Sequence, residues 1–382
     1  MPIRVAYISS IPALPVAGAY ISVYERFSLL SKHGVLGSVI SLAASEQRDK
    51  LLRRCESLNL ELVRSAQGAD YKWRGSISGS ITFGESLGKF DIAAQPEVDA
   101  TFDRVLKEGS FEVILANARD FSALLYLSRR NYHHAIFLVT EDEYPRPDDF
   151  GGEHELKKAF SCMPRVAVAS KFLRDSLKHS WNIEARVLHN SIDFDFYSTQ
   201  TPPGHAILGL QPYEKKGVRV FAELARVMPE RRFALASGFG PEYRKIKPEL
   251  DQISNIATVP FNADVRSLYA ISRLVLVPSV WQEAFSRVVL EALASGRPVI
   301  ASRVGGIPET GGEAILYVNK PELSPTSQNL VEWRQAIEGL DDPTLFKACV
   351  KKGYEQVEIS REKTKRAILE WEAWLREEAA SM

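Results

Sequence analysis

The sequence predicts two consecutive α/β domains, each built on a doubly wound parallel sheet. Three observations carry this. The chain has 382 residues, too many for one compact core and suited to two domains of about 150–200 residues. Short β-branched runs alternate with helical stretches from the first residues on, which is the pattern of βαβ units. The alternation then breaks and restarts near the proline-rich stretch TQTPPG (199–204), a hinge candidate.

The chain opens with IRVAYIS (3–9), which reads as a buried parallel strand. The loop SIPALPVAGAY, a helical pattern over 23–33 ending at Gly34, and a strand at 35–42 complete the first unit. Further strands are expected at 113–116, 135–139, 166–169 and 185–188. Residues 67–91 (QGADYKWRGSISGSITFGESLGKFD) are rich in Gly and Ser. They read as a long loop or irregular hairpin, either a surface insertion or a substrate-facing loop. After the hinge, strands are expected at 206–210, 232–237, 256–259, 274–277 and 298–301, with helices at 218–227, 243–251, 265–271 and 285–295. The last segment, REKTKRAILEWEAWLREE (361–378), groups Ile368, Leu369, Trp371, Trp374 and Leu375 on an amphipathic helix. It either packs on the second domain or crosses back to the first. The domain limits are then 1–198, 199–360 and a terminal helix 361–382. Two such domains facing one another would enclose a cleft, the usual place for a small-molecule site.

Composition narrows the function. The chain is 45% hydrophobic and 25% charged, with no net charge, ordinary for a globular protein. Residues 1–200 carry 24 Lys+Arg and 25 Asp+Glu, the remainder 24 and 23, so neither half has the basic footprint of a nucleic-acid binder. Three scattered cysteines (Cys55, Cys162, Cys349) support neither a disulfide framework nor a zinc ribbon and suit a reducing cytosol. MPIRVAYISS lacks a signal-peptide core, and no apolar run approaches the ~20 residues that span a bilayer. A cytoplasmic location follows, with at most peripheral contact at the inner membrane face and a monomer or homodimer as assembly. No P-loop, no full Gly-x-Gly-x-x-Gly after a strand and no Gly-x-Ser-x-Gly elbow is present. His133-His134 are adjacent and cannot easily share a metal, and no metal site is expected.

The most pointed stretch is QEAFSRVVLEALASGRPVIASRVGGIPE (282–309). RLVLVPS (273–279) is a strand; Glu283 follows in the loop at its C-terminal end, and a helix starts near Phe285–Ser286. Ligands of open α/β sheets gather at that edge, and the helix start offers unpaired N–H groups from about Phe285 to Val288, suited to a phosphate or to sugar hydroxyls acting as acceptors. An ionised carboxylate accepts but does not donate, so its natural partners are hydroxyls. Eight helical residues from Glu283 to Glu291 advance ~12 Å and rotate ~80°, of the order of a sugar diphosphate plus ribose. Taken singly, Glu283 is explained by the helix dipole and Glu291 by solvent exposure; together they fit a nucleotide sugar.

This stretch resembles the E-x7-E signature of the retaining GT-B glycosyltransferases of family 4, the group 1 glycosyl transferases. The match comprises Glu283, Phe285, the segment Glu291–Gly296, Pro298-Val299 and Val304-Gly-Gly-Ile-Pro-Glu309. Weaker echoes lie at His189-Asn190-Ser191-Ile192-Asp193, at Gly238-Phe239-Gly240-Pro241 and at Tyr213-Glu214-Lys215-Lys216-Gly217. The resemblance implies the GT-B fold: two Rossmann-like domains facing a deep cleft, with a C-terminal helix crossing back to the first. It implies a nucleotide-diphosphate-sugar donor, of UDP or GDP type, and no other cofactor. Glu283 would meet the donor sugar and Glu291 the ribose, with backbone at Ser286, Arg287 and Val288 on sugar or phosphates. Lys216, or Lys215 if the register slips by one, would hold the diphosphate. Gly18 and Gly240 would lie at loops of the site, and backbone near Phe261 and Asn262 would read the base. Asp193-Phe194-Asp195 spells the metal motif of the other glycosyltransferase fold but sits in the junction turn.

The sequence also departs from the family. An arginine usual ahead of Lys-Gly is replaced by Leu210-Gln211, and Gly18 is followed by Ala19 where a Gly-Gly pair is common. Glu141 stands near the position of a usual His; it is either a contact to an acceptor hydroxyl or part of a solvated acidic run. The expected activity is retaining, metal-independent transfer of a hexose-type sugar to a hydroxyl of a glycan, lipid-linked or small-molecule acceptor. The alternatives are a nucleotide-sugar epimerase or hydrolase, and a non-catalytic nucleotide-sugar binder.

Overall fold

The computed structural model describes residues 1–15, 18–58, 60–85, 87, 90–142, 154–198, 201–238, 240–260, 265–319 and 330–381. The chain divides into two compact units, the first of residues 1–192 with 364–382, the second of 193–363.

The first unit holds β1 (Ile3–Ser9), β2 (Val35–Ala44), β3 (Glu61–Arg64), β4 (Gly68–Trp73), β5 (Ile77–Gly84), β6 (Val113–Asn117), β7 (Ala135–Val139), β8 (Val166–Val168) and β9 (Arg186–Val187). They form one sheet in the order β3-β4-β5-β2-β1-β6-β7-β8-β9. Its helices are α1 (Gly18–Ser31), α2 (Arg48–Ser57), α3 (Gln95–Gly109), α4 (Phe121–Arg129), α5 (His154–Ser161) and α6 (Lys171–Trp181). β1 pairs in parallel with β2 and β6, and Val5, Ala6, Tyr7 and Ile8 are all buried, as a central parallel strand covered on both faces requires.

Residues 67–91 correct the loop reading. Their described part contains a regular antiparallel hairpin, β4 on β5, which joins the sheet through parallel pairing of β5 with β2. Tyr71, Trp73, Ile77 and Ile81 face the core while Asp70, Lys72 and Ser78 face out, the two-residue alternation of a half-buried strand. Gly and Ser disguised it, because the inward positions alone carry the apolar signal.

The second unit is a six-stranded parallel sheet of β10 (Ala206–Gly209), β11 (Arg232–Ala236), β12 (Ile256–Val259), β13 (Ser272–Val277), β14 (Val299–Ser302) and β15 (Leu316–Val318), ordered β12-β11-β10-β13-β14-β15. Its helices are α7 (Phe194–Tyr197), α8 (Val218–Val227), α9 (Gly240–Leu250), α10 (Val265–Ile271), α11 (Arg287–Ala294), α12 (Ile307–Gly311) and α13 (Val331–Gly339). α8 buries Val218, Val220, Phe221, Leu224 and Ala225, and Phe221 meets Phe233 edge to face at 5.3 Å.

The terminal helix α14 runs from Pro343 to Ala380, 38 residues, far longer than the expected 361–378. Its first part buries Phe346 and Cys349 in the core of the second unit. Its last part buries Ile368, Trp371, Trp374 and Leu375 in the core of the first, whereas Leu369 is exposed. Among the described residues no helix is long and apolar enough to cross a membrane.

Candidate functional site

In the second unit the strand order reverses between β10 and β13: β11 and β12 lie on one side, β14 and β15 on the other. Such a switch point leaves a crevice at the carboxyl ends of the strands. The two loops that leave these strands there carry Lys216 and Glu283.

The loop after β10 ends in a tight turn, Glu214–Lys216, closed by Gly217 at φ +79°. A Cβ on Gly217 would stand 1.9 Å from the Pro278 carbonyl oxygen, so only glycine fits where the turn presses on the end of β13. The Val280 N–H donates to the Lys215 carbonyl at 3.0 Å, tying the two loops a second time. So placed, the Lys216 ammonium donates to both oxygens of Glu283, at 2.7 and 2.8 Å. The Ser279 hydroxyl adds a third hydrogen bond at 2.5 Å. Glu283 is buried, and burial alone would raise its pKa. The Lys216 charge and the hydrogen bonds from Lys216 and Ser279 outweigh burial and hold the carboxyl below its ordinary value.

Leu210, Gln211, Lys216, Ser279, Glu283, Ser286 and Val288 line one pocket. Ser286 takes a left-handed conformation, φ +60° and ψ 77°, unusual for a residue with a side chain. α11 therefore begins at Arg287, two residues after the expected start, so Phe285 precedes the helix rather than opening it. The Phe285 ring is buried and its carbonyl accepts from the Thr310 hydroxyl. Trp281, in the loop after β13, has its ring near both lysines: the Lys215 ammonium is 4.6 Å and that of Lys216 4.5 Å from its ring centroid.

Gly305-Gly306 are packed against this loop. Cβ atoms there would stand 2.2 Å from the Glu283 carbonyl oxygen and 2.3 Å from that of Ala284. The Gly305 N–H donates to the Gln282 side chain and the Gly306 N–H to the Glu283 carbonyl, both at 2.6 Å. The glycine pair thus braces the Glu283 backbone from behind.

Glu291, one turn along α11 from Arg287, is buried rather than exposed. It meets Arg287 at 3.2 Å and accepts from the Tyr269 hydroxyl at 3.0 Å; Arg287 also donates to the Tyr197 hydroxyl at 3.2 Å. Burial and the neighbouring Glu291 carboxylate push the Tyr269 hydroxyl well above its usual pKa. Gly240 opens α9 after β11 at φ +80° with nothing within 4 Å of a Cβ position. Phe261 and Asn262 lie outside the described residues. Asp193 caps α7 through the Phe196 N–H and Asp195 pairs with Arg361 at 2.9 Å, so both have structural partners. Among the described residues no three His, Cys, Asp or Glu side chains group as metal ligands.

Gly18 and Glu141 belong to the first unit. Gly18 is the first residue of α1. Glu141 follows β7 and pairs with Arg119 at 2.6 Å, both side chains about two-fifths exposed at 39% and 42%. Nearby at the same sheet edge, Asp120 accepts from the Ser10 N–H at 2.6 Å and from the Ser9 and Ser10 hydroxyls at 3.0 and 2.5 Å. Burial pushes its carboxyl up, partly offset by those bonds. Burial likewise lifts the Tyr20 hydroxyl to about 12, with Asp120 adding to the shift.

Sequence reasoning missed Ser279, Trp281, Tyr269 and Tyr197. Ser279 and Trp281 had a signal, flanking the strand end just ahead of Glu283. Tyr269 and Tyr197 had none, because their partners come from other elements.

The fold is that of the GT-B glycosyltransferases, and a family model for glycosyl transferases group 1 matches residues 206–332, within the second unit. Sucrose-phosphate synthase from Thermosynechococcus elongatus superposes over 100% of both chains with a TM-score of 0.74 at 17% identity. HepE of Anabaena, solved with UDP and glucose, does so over 100% of both chains with a TM-score of 0.70 at 16% identity. The lipopolysaccharide 1,2-N-acetylglucosaminetransferase of Salmonella typhimurium is 32% identical over 162 residues, 40% of each chain. The D-inositol 3-phosphate glycosyltransferase of Corynebacterium aurimucosum is 31% identical over 140 residues, 33% of this chain and 31% of its own. An uncharacterised 42.6 kDa protein of the Klebsiella pneumoniae cps region is 33% identical over 102 residues, 27% of this chain and 26% of its own. The matched segments thus span between 26% and 40% of the length of these three curated relatives.

Proposed function

We propose that the protein is a retaining glycosyltransferase that moves a hexose-type sugar from a nucleoside-diphosphate sugar to a hydroxyl acceptor, without a metal. The observation that carries this reading is the Lys216–Glu283 pair, held by the loops that follow β10 and β13, at 2.7 and 2.8 Å. A cation and an acceptor-only carboxylate side by side suit a ligand with phosphate at one end and hydroxyls at the other. The group 1 domain match over the same segment supports it, as does the likeness to a fold solved elsewhere with UDP-glucose.

In this reading the donor diphosphate takes over the Lys216 ammonium, and Glu283 turns to the sugar hydroxyls. As the glycosidic bond breaks, negative charge grows on the departing diphosphate. A fixed ammonium beside it stabilises that transition state more than the ground state. The N–H groups of Arg287 and Val288 at the start of α11 add dipoles of the same sign. Glu291 keeps lone pairs beyond those used by Tyr269 and Arg287 and would accept from the ribose hydroxyls. The acceptor oxygen bonds to the anomeric carbon on the face the diphosphate leaves, and its proton passes to the departing diphosphate, so the anomeric configuration is kept and no protein nucleophile is needed.

The test is nucleotide release from UDP-, GDP-, ADP- and dTDP-sugars, with and without hydroxyl acceptors. Release with one donor, abolished in Lys216→Met and accompanied by an axial product anomer from an axial donor, is the expected result. Release from none of the four, and no binding of any nucleoside diphosphate, would overturn the reading.

A further inference from the structure

We propose that the outer face of the β4–β5 hairpin in the first unit is a binding groove for an oligosaccharide that carries free amino groups. The groove is separate from the Lys216–Glu283 site and does not rest on the donor reading.

Strand register builds it. Ser38 on β2 stands opposite Ser78 on β5, Ser78 opposite Lys72 on β4, and Lys72 opposite Glu61 on β3. Two residues along, Ile40, Ser80, Asp70 and Val63 form a second row. Opposed residues share one face of a sheet. Tyr71 and Ile81 occupy the other face, in the core, so both rows point outward. Neighbouring strands lie about 4.8 Å apart, so each row runs about 14 Å, room for a short chain of sugar rings. Val105, Glu108 and Gly109 of α3 and Phe111 beyond it complete the lining. A Cβ on Gly109 would stand 2.0 Å from the Phe111 ring, so a glycine is what lets that ring fold back beside the helix end. The cavity measures about 530 Å³, within the range of about 300–1,000 Å³ of small-molecule sites.

The polar lining comprises the carboxylates of Glu61, Asp70 and Glu108, the Lys72 ammonium and the hydroxyls of Ser38, Ser78 and Ser80. Among the described residues none of these side chains has a hydrogen-bond or ion-pair partner. Glu61 and Lys72 stay unpaired although they are cross-strand neighbours. Nearby exposed charges do pair, as Arg64 with Glu56 and Arg130 with Asp103. A polar outer face is ordinary for an antiparallel hairpin. A concave one with all its donors and acceptors unspent has capacity for a ligand. Three carboxylates against one ammonium call for positive charge in that ligand. The serines and Lys72 call for hydroxyls, which both donate and accept, and Val105 and Phe111 for the carbons of a ring. A bound peptide would add to a strand edge through its backbone, but β4 and β5 already have neighbours on both sides. An amino sugar meets every demand. Ser38 lies level with Ala6, short of the carboxyl edge that carries Glu141, so the groove grips part of a chain and not a reacting hydroxyl.

The experiment is calorimetric binding of a glucosamine trimer, its fully N-acetylated form, a galacturonic acid trimer and tetralysine. The proteins are wild type, Glu61→Gln, Asp70→Asn and Ser78→Ala, all changed at exposed positions. The glucosamine trimer is expected to bind wild type at least tenfold more tightly than its acetylated form, and the galacturonic acid trimer not at all. Glu61→Gln and Asp70→Asn should each weaken the glucosamine trimer about tenfold. Ser78→Ala should weaken it about threefold and leave tetralysine unchanged. No binding of the glucosamine trimer, or equal affinity for its acetylated form, overturns the proposal. Tetralysine bound as tightly as the trimer overturns it too and assigns the groove to a basic peptide. Nucleoside-diphosphate binding, measured on the same variants, should match wild type, so either proposal can fail without the other.

Discussion

The Lys216 ammonium donates to both carboxylate oxygens of Glu283 although the two residues lie 67 positions apart. Glu283 is buried and Lys216 largely so, their side chains 8% and 19% exposed. Each thus depends on the other for compensation, which makes the pair a lever for experiment.

Removing one partner leaves the other stranded. Lys216→Met should lower the unfolding free energy by about 3–5 kcal/mol, because a buried carboxylate loses its counter-charge. Glu283→Gln should cost less, since Lys216 is the more exposed of the two. The double variant Lys216→Met/Glu283→Gln should recover part of the loss, since neither buried charge then remains. Urea unfolding of the four proteins measures the coupling; strictly additive losses would show that the pair does not interact in solution.

The same pair sets a pH dependence. The folded-state pKa of Glu283 is lowered from 4.5, so its stabilising contribution is present above that value and is lost as pH falls through the lower folded pKa. In Lys216→Met the charge and hydrogen bonds of Lys216 are gone, the Ser279 hydrogen bond remains, and burial, the largest cause, moves the folded pKa up from its wild-type position. The variant's deficit relative to wild type should therefore shrink as pH falls from about 7 to about 4. Thermal unfolding across that range checks it, and a constant deficit would contradict the electrostatic account.

The βαβ order was legible because buried parallel strands such as β1 and β13 read as continuous apolar runs. The hairpin at Gly68–Gly84 was legible only as an irregular alternative to a loop, because its outward positions hold Gly, Ser and charged residues and the inward ones only surface when pairing is known. Within the site, Glu283 stood out through its resemblance to a known signature, while its contact with Lys216 had no local trace. The same holds for Glu291: taken singly it reads as an exposed helix carboxylate, and only the packing of Tyr269 and Arg287 around it shows why it is buried.

The bracing role of Gly306 can be separated from backbone strain. Gly306 has an ordinary φ of −81°, so Gly306→Ala acts only through the collision of its Cβ with the Ala284 carbonyl. Gly240 has φ +80° and open space, so Gly240→Ala acts only through strain, about 1–2 kcal/mol. Gly306→Ala should destabilise more and should weaken nucleoside-diphosphate binding by displacing the loop of Glu283. Unfolding and calorimetry on both variants test this; normal binding in folded Gly306→Ala would show that the loop yields elsewhere.

Glu141 offers the cleanest separation of stability from function. Its pair with Arg119 is about two-fifths exposed on each side, and such pairs contribute less than about 1 kcal/mol. Glu141→Gln should therefore leave the melting temperature nearly unchanged, so a change in turnover cannot be blamed on folding. A glutamine keeps one carbonyl acceptor but loses the charge. If Glu141 accepts a hydrogen bond from the acceptor hydroxyl, the variant should lose about tenfold in kcat/KM for the acceptor. Affinity for the nucleoside diphosphate should stay the same, because Lys216, the proposed diphosphate contact, belongs to the second unit and Glu141 to the first. Steady-state kinetics at saturating donor, paired with calorimetry of the bare nucleotide, reads both quantities. Wild-type kcat/KM in Glu141→Gln would reduce Glu141 to a solvated carboxylate, and a matching loss of nucleotide affinity would move its role to the donor.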